Sequence, residues 1–484
     1  MNYSDVISVE NKIKALKQKA TKFCYTNTEK SLAYISVTAQ ILYDYNQYYT
    51  DKEFESLLLQ IAETKITHKF KSPNNTVLFY DGFGLDIRGW AIVYLKAIAL
   101  NNYKVVYVTT KRAINKQPKM KAELEPFDNV EWTYISTDKS YMGWIDQLAE
   151  QFEKFKPKTA FFYSTPWDVS GMVVFNAYKN TVMRFLVDLT DHAFWLGVNT
   201  ADFFVGCRNY SASIQYYYRG IAVEKMKKLD TNLFIDDNIT INKLPFDINQ
   251  KRFIFSGGAL YKTLGDSENK YYKIVEHVLE KFQDIYFLYA GFGDTTQMNI
   301  LKEKFKNRVF LVPERPDFYR IMEKCLFYLN TYPMFGGLMM RYAAHAGKLP
   351  ITLKHDHDAD GILMNQELIG IEYDDMETIL ADIDKIIENE KYRKAKERML
   401  KGSVMTEKRF ANNIKSLIED YTTEFSYEIV KIDTVNFQNE YMERFVFDDS
   451  FKNAIAKRIN KSLVFDYPYL FSSAVISKLI KKLV

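Results

Sequence analysis

Cysteine is scarce in this chain of 484 residues, and the three that occur, Cys24, Cys207 and Cys325, are far apart, odd in number and never in a CxxC pair. A disulfide scaffold is excluded, and reduced buried thiols are the expectation. An excess of one charge is also lacking: 65 Lys and Arg stand against 61 Asp and Glu, a net charge of +4. A dedicated nucleic-acid binder would show a far stronger basic excess, so nucleic acid is not an expected partner. No uninterrupted apolar run approaches the roughly 20 residues that span a bilayer. The N-terminus, MNYSDVISVENKIKALKQKA, is charged and helical in pattern, without the apolar core of a secretion signal. The expected location is cytoplasmic, at most peripheral at the inner face of the membrane. Gly, Pro and Ala are few beside Asn, Lys, Tyr, Phe and Ile, a bias that matches an AT-rich genome. A chain this rich in Tyr, Phe and Ile buries enough apolar surface to offset the entropy of ordering, which excludes disorder. Its length suits two to four domains.

Residues 1 to about 70 place apolar groups at helical spacing (Leu32, Ile35, Ala39, Leu42; Phe54, Leu57, Leu58, Ile61) and show no chemistry. From Thr76 short β-rich runs alternate with amphipathic segments: 77–80, 104–110, 130–136, 159–164, 183–189 and 203–206. A polar stretch, 230–250, suits a linker. A second series follows, with strands at 252–258, 285–291, 309–312, 326–331 and 349–353 and helices near 269–282, 295–306, 316–324 and 337–346. Such alternation predicts parallel, doubly wound α/β sheets. The expected architecture is two tandem Rossmann-like domains facing across a cleft, with an N-terminal helical segment and a helical C-terminal extension. The expected domains are 1–240, 250–425 and the extension 426–484, which packs back on the first domain or lies at a membrane surface. Ligands bind such sheets beyond the carboxyl ends of the strands.

Three Gly-bearing loops end strands of the second half: Ser256-Gly257-Gly258 with Lys262 beyond it, Gly291 and Gly293 in AGFGD, and Gly336-Gly337 before a helix. Backbone N–H groups at such turns favour an anion such as a pyrophosphate, and a nearby lysine neutralises it. A plain strand-to-helix turn with a solvated lysine is the alternative. In the first half Asp191 and His192 follow a predicted strand, close to Asp188. An imidazole there would take a proton from an acceptor hydroxyl, oriented by the carboxylate; a buried histidine capping a turn is the alternative. Arg208 follows another strand and would meet a phosphate or solvent. Asp356, Asp358, Asp360, Gly361 and Glu367 fit a calcium-loop pattern, with His355 just before it and His357 within it. The strand-like LPITLK before them is the wrong context for an EF-hand, and no metal is expected. The basic loop KRAINKQPKMK (111–121) and the C-terminal KLIKKLV would suit anionic lipid or a lipid-diphosphate acceptor.

The succession FSGGALYK, LYAGFGD, VFLVPERPDFYRIMEKCLFYLNT and GGLMMRYAAHAGKLPI resembles the donor-binding domain of GT-B glycosyltransferases, over about residues 250–400. A weaker likeness covers VLFYDGFGLDIRGW (77–90), and DHAFWLG resembles cleft loops of some bacterial sugar transferases. The resemblance implies that Lys262 holds the donor diphosphate, with Gly336, Gly337 and Leu338 beside it, and that Glu314, Arg315 and Phe318 lie near the nucleoside. It implies that Asp81, Gly82, Gly84 and Arg88 lie near donor and acceptor. It implies no cofactor, a nucleotide-sugar co-substrate with UDP-sugar favoured, and a saccharide, lipid-linked saccharide or protein acceptor. Many retaining members carry two glutamates eight positions apart, where this chain has Met334 and Tyr342. That departure weakens a retaining assignment and leaves open a non-catalytic partner of an active transferase. A GT-B-like sugar-nucleotide epimerase or polyol-phosphate transferase is a second enzyme alternative.

Overall fold

The computed structural model describes residues 3–86, 89–136, 140–236, 238–354, 362–457, 461–470 and 472. The chain divides into two compact units: residues 1–206, 210–230 and 408–484 form one, and 207–209 with 231–407 form the other.

The first unit is built on a parallel sheet of β1 (Asn74–Asp81), β2 (Lys104–Thr110), β3 (Val130–Ile135), β4 (Pro157–Tyr163), β5 (Met183–Val187), β6 (Phe203–Gly206) and β7 (Met226–Lys228), in the order β3-β2-β1-β4-β5-β6-β7. Its central strands are apolar on both faces, as strands covered by helices on both sides must be. On one face lie the N-terminal helices Tyr3–Phe23, Thr28–Tyr45 and Lys52–Lys65, started by Asn27 and Asp51, whose side chains accept from the N–H groups of Lys30 and Phe54. Leu32, Tyr34 and Phe54 of these helices share one core with Phe162 and Phe175. The C-terminal segment belongs to this unit: Phe410 meets the Tyr94 ring at 5.2 Å, and Phe445 and Phe451 enter the same core.

The second unit carries β8 (Arg252–Ala259), β9 (Ile285–Phe292), β10 (Val309–Val312), β11 (Tyr328–Leu329), β12 (Pro350–Leu353) and β13 (Glu372–Tyr373), parallel and in the order β10-β9-β8-β11-β12-β13. Helices Lys270–Lys281 and Met376–Glu388 cover one face with Ile274, Val278, Ile379 and Ile383. Leu233, Phe246 and Ile248, from the stretch read as a linker, pack on the other face against Phe253 and Leu288. β7 and β13 escape the sequence reading because they are short edge strands with charged residues, which lack the apolar run of an interior strand. Among the described residues no helix is long and apolar enough to cross a membrane.

Candidate functional site

In the second unit the strand order reverses between β8 and β11, and the crevice beyond their carboxyl ends is where a doubly wound sheet takes a ligand. Gly258 and Gly291 pair across β8 and β9, and a Cβ on Gly291 would fall 1.9 Å from the Gly258 carbonyl oxygen. Gly258 has φ +135° with nothing within 4 Å of the place a Cβ would take, so its conformation, not packing, demands glycine. The Gly257 carbonyl accepts from the Tyr328 hydroxyl at 3.2 Å, and Gly293 lies over Leu260.

Lys262 follows on the 3-10 turn Leu260–Thr263. Its side chain is half-buried and has no hydrogen-bond or ion-pair partner among the described residues. Burial strips water from the ammonium and holds its pKa below the ordinary lysine range. The Lys262 carbonyl accepts the Met334 N–H at 3.2 Å, which ties this turn to the loop before the helix Gly337–His345. Asn330, at the end of β11, shapes that loop: its Oδ1 accepts the Gly336 N–H at 3.0 Å while its Nδ2 donates to Thr352 Oγ1 at 3.2 Å. The helix has no side-chain cap, and the N–H groups of Gly337 and Leu338 have no partner among the described residues. The Arg208 guanidinium lies 5.0 Å from the centre of the Phe335 ring, next to this helix start. Desolvated cations and unpaired N–H groups therefore gather at one strand edge, an arrangement made for an anion.

Other predicted donor residues have intramolecular partners. Ser256 Oγ accepts from the buried Tyr271 hydroxyl at 2.7 Å. Arg315 makes a two-pronged bond to Asp317, at 2.8 and 2.7 Å, and reaches the carbonyls of Asn242 and Lys243. Phe318 sets its ring edge-on to Tyr342 at 4.9 Å, whereas Glu314 is exposed.

In the first unit Asp81 ends β1 and is fully buried. Its Oδ1 accepts the N–H groups of Phe83 and Gly84, both at 2.9 Å, and its Oδ2 accepts the Tyr107 hydroxyl at 2.6 Å. Burial nonetheless pushes its pKa up to about 6. Gly82 is locked under Ser164, whose Oγ would sit 1.8 Å from any Cβ there. The carboxylate thus builds the 82–84 loop. Arg88 lies outside the described residues, as do positions 355–361 of the calcium-loop pattern; Glu367 sits in the short helix Gln366–Ile369.

The loop after β5 carries His192, half-buried, with Nδ1 3.4 Å from Asp191 Oδ1 and its ring 6.2 Å from that of Phe437. Much of the loop's backbone is held. Asn46 accepts the Phe194 N–H at 3.0 Å and donates to the His192 carbonyl at 3.4 Å. The buried carboxylate of Glu55 accepts the N–H groups of Gly197, Val198 and Asn199 at 2.6, 3.1 and 3.2 Å. Buried Arg219 donates to the carbonyls of Asp191 and Ala193 at 3.2 and 2.6 Å. Asn46 and Glu55 belong to the helical region that showed no chemistry in the sequence, because hydrogen bonds across more than a hundred residues leave no local pattern. Among the described residues no group of three or more His, Cys, Asp or Glu is placed to hold a metal ion.

No family model matches the chain, and no curated protein matches its sequence. Solved structures match in fold. A protein described as a UDP-N-acetylglucosamine 2-epimerase, from Listeria monocytogenes, superposes with a TM-score of 0.51 at 12% identity, covering 74% of this chain and 100% of its own. A glycosyltransferase from Rickettsia africae gives a TM-score of 0.51 at 12% identity, covering 72% of this chain and 99% of its own. At these identities the likeness is one of fold, and the fold is the tandem Rossmann-like type of GT-B proteins that the sequence resemblance implies.

Proposed function

We propose that the protein is a glycosyltransferase that moves a hexosyl or N-acetylhexosaminyl group from a nucleoside diphosphate, UDP favoured, to a hydroxyl of a saccharide, lipid-linked saccharide or protein acceptor. The setting is bacterial surface polysaccharide or glycoprotein assembly. The observation that carries the reading is Lys262, a desolvated ammonium without a counter-charge at the strand-order reversal, beside the unpaired N–H groups of Gly337 and Leu338. A partly desolvated cation without a counter-charge is costly, and a diphosphate offsets that cost. The Listeria protein's name includes a sugar nucleotide, which supports this ligand class.

In this reading the acceptor oxygen attacks the anomeric carbon as the bond from that carbon to the diphosphate oxygen breaks. Lys262 and the helix start take up the negative charge that develops on the leaving diphosphate. The acceptor proton passes to His192 Nε2, while Asp191, facing Nδ1, fixes the ring and stabilises the imidazolium. The anomeric centre is inverted.

Thermal unfolding with UDP, GDP, TDP and CDP and their sugar conjugates tests the donor site. A ligand at 100 times its Kd stabilises the fold by about 2.7 kcal/mol, and Lys262→Ala should abolish the shift. His192→Ala should keep the nucleotide shift and lose on the order of 10² to 10⁴ in transfer rate. No shift with any nucleotide would sink the reading in favour of a non-catalytic partner protein. A second enzyme reading, sugar-nucleotide epimerisation, is favoured by the Listeria match. An epimerase converts the sugar nucleotide without acceptor and releases no free nucleotide, which product analysis separates from transfer.

A further inference from the structure

In the first unit β4 and β5 run side by side and pair at Phe162 and Leu186. The loops that leave their carboxyl ends are tied together, since the Leu196 N–H donates to the Pro166 carbonyl at 3.1 Å. Between the two loops lies a small pocket. Phe162, Leu186 and Asp188 are buried at its floor, and Thr165 and Thr190 are half-buried at its rim. About 20 Å³ is open to the centre of a water-sized group, room for one hydroxyl or one water and too little for a phosphate.

Two buried polar atoms of this lining have no partner among the described residues: the indole N–H of Trp195 and the hydroxyl of Thr165. Trp195 is 3% exposed, and its ring is packed against the Arg219 guanidinium at 4.2 Å and the Phe204 ring at 6.1 Å, which keep it from turning to water. An indole N–H only donates, so the group that meets it must accept. A hydroxyl oxygen accepts and can donate its own proton to Thr165. Leaving both atoms unmet is costly at a buried site. The lining holds no cation, and its one carboxylate, Asp188, is already paired with Arg219. The chemistry that fits is a single neutral hydroxyl. His192 stands on the same loop, two residues from Thr190 and three from Trp195.

We infer that this pocket takes a second hydroxyl of the acceptor while the reacting hydroxyl lies at His192, and hence that the acceptor is a saccharide, free or lipid-linked. The inference rests on the sugar-transfer reading. A serine or threonine of a protein acceptor has one hydroxyl, which would go to His192 and leave Trp195 and Thr165 unmet, whereas a sugar ring carries several close together. A site built to bond a hydroxyl rejects a ligand that lacks it. Water offers the same chemistry as a sugar hydroxyl, and the test separates the two.

The indole N–H signal of Trp195 in the full chain carrying isotope-labelled tryptophan, assigned with Trp195→Phe, reads the pocket by nuclear magnetic resonance without any nucleotide. Methyl glycosides of glucose, galactose and N-acetylglucosamine are the saccharide probes, and N-acetylserinamide stands for a protein acceptor. At least one glycoside should move the signal, binding about tenfold more tightly than N-acetylserinamide, and Thr165→Val should weaken that binding about fivefold. In transfer assays Trp195→Phe and Thr165→Val should each raise the acceptor KM about tenfold. Both variants should keep the wild-type thermal shift with nucleotide, which also shows that they are folded. A signal that no glycoside moves would mark a site for structural water only, and equal affinity for N-acetylserinamide would point to a protein acceptor; either result overturns the assignment. If no nucleotide stabilises the protein while glycosides still move the indole signal, sugar transfer fails and the hydroxyl site stands.

Discussion

The Arg219 guanidinium lies 4.2 Å from the centre of the Trp195 ring, and its Nη1 is 3.5 Å from Asp188 Oδ2, with all three side chains buried. One cation therefore touches both ends of the loop that carries His192: the carboxylate just after β5 and the indole beyond the histidine. Asp188 also accepts from Gln215 Nε2 at 2.8 Å, yet burial still pulls its pKa upward. Removing the guanidinium leaves a buried carboxylate without its counter-charge, so Arg219→Met should cost about 3–5 kcal/mol in urea unfolding. Neutralising the partner as well, in Arg219→Met with Asp188→Asn, should recover part of that loss. Additive costs in the double-mutant cycle would show that the two groups do not interact.

Glu55 holds the same loop from its other end. Glu55→Gln keeps the size of the side chain but replaces a charged acceptor of three N–H groups with a neutral one. The expected cost is about 1–3 kcal/mol. If His192 is the base, the transfer rate should fall with little change in nucleotide affinity. Equal loss of both would indicate a general defect in the fold instead.

The architecture was legible because its signals are local. The apolar runs at β2, β6 and β10 and the helix after Gly336 coincide with the elements found. The position of Lys262 was legible for the same reason, since the strand, the glycines and the lysine lie within a few residues of one another. What supports the two loops was not. Arg219, Asn46 and Glu55 act on the 188–199 loop from far away in the chain, and Asn330 acts through Gly336 and Thr352 on different elements. Arg315 adds a further case: it is held by Asp317 two positions on, a pairing that charges close in sequence do not reveal.

Asp81 gives a pH signature that no surface carboxylate would. Its folded pKa, about 6, stands above the ordinary 3.8, so the folded state binds a proton more tightly than the unfolded chain does. The stability it contributes is fully present below 3.8 and is lost as pH rises through 6. Wild type should therefore gain about 1.4 kcal/mol at pH 5 relative to pH 7.5 from this one group. Asp81→Asn should remove that increment, read as the difference between the two proteins in urea unfolding at each pH. An identical pH dependence in both would mean that Asp81 keeps an ordinary pKa.

Lys262 should show itself through the pH dependence of nucleotide binding. Its folded pKa is lowered by burial, so between that value and the ordinary 10.5 the folded state holds fewer protons than the unfolded one. The desolvation cost to the fold is greatest at lower pH, where the ammonium is charged, and fades as pH rises through that window. A bound diphosphate reverses the balance by favouring the ammonium, which raises the pKa again. Binding should therefore take up a proton where free Lys262 is partly neutral, and affinity should fall as pH climbs through its depressed pKa. Calorimetry in two buffers of different ionisation enthalpy measures that proton directly. Lys262→Arg, whose guanidinium stays charged, should flatten the pH profile even where it weakens binding, because it cannot lose the proton. A wild-type affinity unchanged from neutral pH to 10 would place the diphosphate away from Lys262.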